Sequence, residues 1–492
     1  MIRMLAPALL FVIMRPLFCP AVMFYVDDSV PTSGDGTTWE TAFTAMQEGI
    51  DAASHGDTVA VAEGIYLQNI QFYGKNIVLT STDPADRSVV ASTVIDGSGA
   101  GSVVTFLGTE DQSCVLSGFT VRNGRADVGG GIAAIGSALR SLATIKNNIV
   151  SGNWAQSGGA GIARCDGLIE NNEIVGNELD PDGLGGAGLA WCDGTVRNNL
   201  IAQNLALVGG GLYGCSGTVE HNIITQNTAS SGGGLSECHG LIRGNLIAFN
   251  SAGWGGGLQY CSATIQNNII IRNQAARGGG LAHCFGLFLN NTVTYNVAGT
   301  CGGGYYDSRS VIHNCIVWAN KAPIGPQFHI PYLPWTEPTY SLIQDWTGGG
   351  EGNIAEEPRF VNAENGDYRL RADSPCIDAG LNSPDLPETD ITGMHRLMFG
   401  GKSFTVDIGA YEFFYTGLQK GPGQDEATLV WSFVPDKTYS IFYTDDLVNW
   451  HVAIDKFPSS GNQTTSWTDD GSLTGIPPLL APRRFYRLLE NP

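Results

Sequence analysis

The chain has 492 residues, 66 of them glycine, with charged residues at 15% and a formal net charge of −21. The acidity excludes function on nucleic acid or anionic lipid, because neither phosphate neutralisation nor counterion release works without a basic face. It also disfavours polyanionic glycans unless calcium bridges the like charges, which leaves neutral sugars, amino sugars or a protein surface as compatible partners.

The chain opens with Arg3, an apolar run over residues 4–14, Arg15, and then Leu17, Phe18, Cys19, Pro20 and Ala21. That is the layout of an export signal, so residues 1–23 are expected to be a signal peptide and the protein to be secreted or held at the cell surface. The run is too short to span a bilayer as a helix, and no transmembrane segment is expected; a cap strand is the alternative. Next come a strand, a glycine turn and a helix expected over residues 39–53. Ala42, Phe43, Met46, Ile50 and Ala53 recur there at helical spacing, a stripe suited to covering the open apolar end of a solenoid. Residues 24–122 read as this cap with the first coils.

Residues 123–345 form a repeat. The last glycine of each GGG or GGAG cluster falls at Gly131, Gly161, Gly188, Gly211, Gly234, Gly257, Gly280 and Gly304, in steps of 30, 27, 23, 23, 23, 23 and 24 residues. A period of 23 with short β-branched runs and no amphipathic helix pattern fits one turn of a β-solenoid. Six cysteines, Cys165, Cys192, Cys215, Cys238, Cys261 and Cys284, keep the register. Three residues before them stand Ile162, Leu189, Leu212, Leu235, Leu258 and Leu281; four after stand Ile169, Val196, Val219, Ile242, Ile265 and Phe288; nine after stand Ile174, Ile201, Ile224, Ile247, Ile270 and Val293. Three apolar columns make three inward-facing walls. The expected fold is an all-β, right-handed parallel β-helix whose equivalent residues stack about 4.8 Å apart.

Polar columns accompany the walls. Asn172, Asn199, Asn222, Asn245, Asn268, Asn291 and Asn314 form one, and Asn177, Asn204, Asn227, Asn250, Asn273, Asn296 and Asn320 a second. Asparagine tolerates the left-handed region, and its amide both donates and accepts, so both columns are expected to be corner ladders. The cysteine column reads as a buried thiol ladder, since stacked β-carbons about 4.8 Å apart exceed the roughly 3.8 Å of a disulfide; three bridges between neighbouring turns remain the alternative. Glu170, Arg197, Glu220, Arg243 and Gln266 form an outward column whose alternating signs suit neighbouring rungs.

Residues 346–415 contain GDYRLRADSPCIDAG at 366–380, DITGMHR at 390–396 and VDIGAYEF at 406–413. With the opening from Phe24, these strings resemble bacterial exported proteins of the pectate-lyase-like parallel β-helix class that end in a "choice-of-anchor Q" segment. The resemblance implies a segment that closes the helix. In that family a surface-sorting signal usually follows; here residues 416–492 instead carry the strand-like runs ATLVWSF, TYSIFYT and RRFYRLL, a small β-sandwich-like module. Its Trp431, Tyr439, Tyr443, Trp450 and Trp467 are expected mostly to fill its core.

Function is sought at the least regular positions, which flank the cysteines. Before them stand Arg164, Trp191, Gly214, Glu237, Tyr260 and His283; after them stand Asp166, Asp193, Ser216, His239, Ser262 and Phe285. Trp191, Glu237, His239, Tyr260 and His283 are the substrate-binding candidates, with rings to stack on sugars and acids to take hydroxyls. A glycoside hydrolase would need two carboxylates about 5–9.5 Å apart, for which Asp166 and Asp193 are the best pair. A calcium-dependent polysaccharide lyase, as the resemblance implies, would need an acidic cluster and a base, and Arg164 is the nearest candidate. Asp180 and Asp182, in the inserted LDPDGLGG, are weak calcium candidates beside an ordinary turn; no other cofactor is expected. The N-T-D, G-H-G and W-x-D-H strings of polygalacturonases and pectate lyases do not occur. The expectation is a monomeric, non-catalytic solenoid that binds polysaccharide or another cell-surface component or acts as an adhesin, with a polysaccharide lyase or glycoside hydrolase as the alternative.

Overall fold

The computed structural model describes residues 21–491, apart from 137–139, 333–334, 398–404, 424, 433–436, 447–448, 459–463, 476, 479–480 and 482–483. The expected signal peptide lies outside the described residues up to residue 20. The chain forms a right-handed parallel β-helix with two walls of twelve strands and a third of eleven. Register follows the apolar columns: Ile169 pairs with Val196 on the first wall, Ile174 with Ile201 on the second and Leu189 with Leu212 on the third. These side chains are almost wholly buried in one continuous core. A feature not expected from the sequence is a short extra strand between the second and third walls. It occurs in two sets of three, Arg125–Val128 with Trp154–Gly158 and Glu178–Leu179, and Ser251–Trp254 with Gln274–Arg277 and Val297–Cys301.

Both asparagine ladders form, but the bends are made by their neighbours. Positive φ belongs to the residue before each ladder position: Asn171, Asn198, His221, Asn267 and Asn290 in one column, and Gln203, Gln226, Phe249, Arg272 and Tyr295 in the other. The ladder amides point inward. Asn199 Nδ2 donates to Asn222 Oδ1 at 3.0 Å and to Ile169 O at 2.8 Å, and the pattern repeats up the stack. Asn314 leaves the column. The coil after Asn291 is one residue longer, so Cys315 takes the ladder position and its Sγ accepts from the Asn291 backbone N–H at 3.4 Å, while Asn314 has φ +54°.

All six column cysteines are free and buried, and burial pushes the Cys165 thiol well above its ordinary value. The charged column pairs as Glu170 with Arg197 and Glu220 with Arg243, each at 2.7 Å.

At the N-terminal end, helix α1 (Met46–Ala52) covers the core with Met46 and Ile50. It is shorter than the 39–53 expected. Asp35 Oδ1 accepts from the Thr37 and Thr41 hydroxyls at 2.8 and 2.7 Å, and such side-chain bonding competes with helix. At the other end Tyr305 stacks on Phe328 at 4.8 Å, and Trp335 and Trp346 pack against Phe328.

These rings close the core. The expected closing segment instead runs back along the side, against the outer face of the second wall. Ile269, Ile271, Tyr368 and Ala410 form one buried cluster there. The left-handed corner residues hold it: Asn267 Nδ2 donates to Thr389 O, Asn290 Nδ2 to Asp407 O, and Asn314 Oδ1 accepts from Leu381 N. The C-terminal module has two three-stranded antiparallel sheets around Trp431, Tyr439, Ile441 and Trp467, with Trp450 at its surface.

Candidate functional site

Each strand of the third wall from Ile162 onward contributes two residues, an inward leucine, isoleucine or aromatic and one outward neighbour. The outward column runs Ala163, Ala190, Tyr213, Ser236, Gln259, Ala282, Tyr306 and His329. The next residue turns the corner in the left-handed region: Arg164, Trp191, Gly214, Glu237, Tyr260, His283 and Asp307 have φ between +42° and +61°. Bulky side chains at positive φ are rare and costly, and concentrate at functional positions. On the opposite edge stand the extra strands with Arg125, Trp154, Trp254 and Arg277. The outer face of the third wall is thus a trough with a narrow floor and two ridges of large side chains.

Toward the C-terminal end the trough is aromatic. His283 stacks on Tyr260 at 5.1 Å and 13° and on Trp254 at 5.6 Å and 30°, with Tyr306 edge-on at 5.3 Å. Tyr306 in turn stacks on His329 at 5.7 Å, and the Arg277 guanidinium lies 4.7 Å from the centre of the Trp254 ring. His283 Nδ1 is 3.3 Å from Asp307 Oδ2; the other Asp307 oxygen has no hydrogen bond and is 3.4 Å from Arg309 Nε. Burial holds the His283 imidazole below its ordinary value, with Asp307 pulling the other way.

Toward the N-terminal end charged groups dominate. Arg164 does not reach the carboxylates; its guanidinium lies 5.7 Å from the centre of the Trp191 ring. Arg140 occupies the place expected for it, pairing with Asp193, 3.4 Å from Asp166 and donating to Trp191 O at 2.9 Å. Asp166 Oδ1 accepts the Asp193 backbone N–H at 2.8 Å, and Asp193 Oδ1 accepts that of Ser216 at 2.8 Å. His239, in the same column, accepts the Ser262 N–H at 3.2 Å. Burial raises the Asp166 carboxyl above its ordinary value, against the Asp193 amide and Arg140. Asp180 accepts the Asp182 N–H at 3.1 Å, the bonding of a plain turn. Among the described residues no three His, Cys, Asp or Glu side chains converge on a common point.

Between the two ends lie Tyr213, Ser236, Glu237 and Gln259. Tyr213 donates its hydroxyl to Glu237 Oε2 at 3.0 Å and meets Trp191 edge-on at 6.1 Å. Burial and this carboxylate push the Tyr213 hydroxyl up to about 12. Trp191, Glu237, Tyr260 and His283 therefore share one trough, whereas His239, Asp166 and Asp193 sit in the column after the cysteines, bonded to the next rung. Arg140, Tyr213, Trp254, Tyr306 and His329 escaped the sequence reading. Each carried a signal: Tyr213, Tyr306 and His329 follow the inward residue of a third-wall strand, Trp254 precedes a glycine triplet, and Arg140 stands five residues before the inward Ile145, as Arg164 does before Ile169.

No protein-family profile matches this chain, and no curated protein matches it in sequence. Among solved structures, the pectate lyase Pel9A is similar over 80% of this chain and 97% of its own, with a TM-score of 0.44 and 13% identity. XylC in complex with xylose is similar over 95% of this chain and 100% of its own, with a TM-score of 0.35 and 11% identity.

Proposed function

We propose that this chain is an exported, non-catalytic β-solenoid that binds polysaccharide along the outer face of its third wall, in the medium or at a cell surface. The observation that carries the reading is the run of contacting rings Trp254, Tyr260, His283, Tyr306 and His329. Rings stacked along a solenoid axis at about the rung spacing present a continuous apolar strip of ring edges against which successive sugar units can pack. Tyr260 is 46% exposed, so some of this surface is open. Retention of the protein on a panel of immobilised polysaccharides tests the proposal. Trp254→Ala with Tyr260→Ala should abolish retention while leaving the unfolding midpoint within a few degrees; unchanged retention would refute it.

A second reading, hydrolysis at Asp166 and Asp193, is favoured by the raised Asp166 carboxyl, as a general acid requires. Against it, both carboxylates already accept a backbone N–H and face Arg140. Incubation with the retained polysaccharide, reading released reducing ends and unsaturated products, separates the two. Product lost in Asp166→Asn would establish catalysis.

A further inference from the structure

We infer that the middle of the trough is a subsite for a protonated amine, and that the polysaccharide recognised carries free amino sugars. This rests on the glycan-binding reading and narrows its substrate class. Glu237 occupies the corner one rung from Tyr260, its backbone N–H bonded to Gln259 O at 3.1 Å. One carboxylate oxygen, Oε2, accepts from Tyr213; Glu237 has no ion pair among the described residues. The guanidinium groups nearest along the trough are engaged elsewhere, Arg164 on Trp191 and Arg277 on Trp254.

The floor beside Glu237 points to a ligand independently. Ser236 Oγ and Gln259 Oε1, on residues 0% and 3% exposed, have no hydrogen-bond partner. Both residues follow inward leucines, Leu235 and Leu258, and so point away from the core, just beneath the floor of the trough. Buried polar atoms without partners are uncommon and costly. Here a carboxylate oxygen, a hydroxyl and an amide oxygen line adjoining rungs, a set rich in acceptors.

Rings flank this set. His283 covers one face of Tyr260, and Glu237 lies on the rung at its other side. At the far side Trp191 lies over Gly214, where a β-carbon would sit 3.0 Å from the indole, so the corner between Trp191 and Glu237 carries no side chain. A carboxylate between aromatic rings, with acceptors beneath, suits an ammonium group on a sugar that packs against the exposed edge of Tyr260. The acidic net charge of the chain draws such a polycation toward it.

The test compares oligomers with one backbone and three substituents at carbon 2: glucosamine, N-acetylglucosamine and glucose, each β-1,4-linked, titrated calorimetrically at pH 6. Glucosamine oligomers should bind at least about tenfold more tightly than glucose oligomers, the scale of a charge-assisted hydrogen bond. Glu237→Gln should remove that preference, and Glu237→Lys should invert it. Binding of glucose and glucosamine oligomers with equal affinity, or a preference that survives in Glu237→Gln, would overturn the amine subsite while the glycan-binding reading stands. Binding of none of the three would overturn the amine subsite, and absence of retention on every immobilised polysaccharide of the panel would overturn both.

Discussion

Asn222 donates its amide to Asn245 Oδ1 and Val196 O, and its own Oδ1 accepts from both the backbone and side-chain amides of Asn199. No other residue type presents a donor and an acceptor at this length, so each rung depends on the identity of the next. Asn222→Ala strands two buried Asn199 donors and the Val196 carbonyl, at about 1–3 kcal/mol for each unsatisfied group. The expected loss is about 3 kcal/mol or more in denaturant titration; a loss below about 1 kcal/mol would mean that the ladder is ornamental. The thiols beside the ladder make a second prediction at this scale. Buried, they should resist alkylation in the native protein and all become reactive on denaturation without reductant. Fewer than six newly reactive thiols would favour bridges between turns.

Among elements, the walls were legible because each inward column repeats an apolar residue at a fixed offset from the cysteines. The corners were less so. The sequence marks Asn-Asn doublets such as Asn267 with Asn268 and Asn290 with Asn291, but not that the first turns the chain while the second builds the ladder. Asn314 falls outside the ladder it was expected to join because one inserted residue shifts the frame, which pairing detects and counting by 23 does not. The trough was half-legible: its corner ridge stands beside the cysteines, whereas the opposite ridge lies on an extra strand whose sequence has no strict period. Arg140 was missed because its rung carries Ser141 where the later rungs carry a cysteine: Ser141 pairs with Cys165, so Arg140 stands one rung before Arg164, and its pairing with Asp193 spans two rungs. The glycine corner is a further element that tolerates little change. A β-carbon at Gly234 would sit 2.6 Å from Gly257 O, so Gly234→Ala must push neighbouring rungs apart. It should cost about 1–3 kcal/mol, read as a lowered denaturation midpoint; an unchanged midpoint would show that the coils can spread at that corner.

Over the whole molecule, the returning segment joins the last coils to the C-terminal module, and its attachment is ionisable. Asp407, Glu412 and Arg396 are buried together, with Arg396 donating to Glu412, Ala410 O and Asn267 of the solenoid. One guanidinium faces two carboxylates. Burial pushes Asp407 from 3.8 up to about 7, against the Asp378 and Phe413 amides, and raises Glu412 in the same direction. Between pH about 4 and about 7 the folded protein keeps a proton on Asp407 that the unfolded chain has released, so stability falls as pH rises through that window. The contribution is complete below pH about 4 and gone above pH about 7. Carboxylates held below their usual range, such as Asp96 and Asp367, act in the opposite sense but titrate at lower pH, whereas His283 and His313, held below their ordinary 6.5 by burial, oppose Asp407 inside the window, so the Asp407 contribution is the difference between the wild-type slope and that of Asp407→Asn. The segment should therefore release at lower temperature, and exchange its amides faster, at pH 8 than at pH 5. Asp407→Asn should flatten that dependence while keeping one acceptor for the Asp378 or Phe413 amide. A slope from pH 5 to 8 that is the same in the wild type and in Asp407→Asn would show that Asp407 is ionised in the folded state and that Arg396 serves both carboxylates.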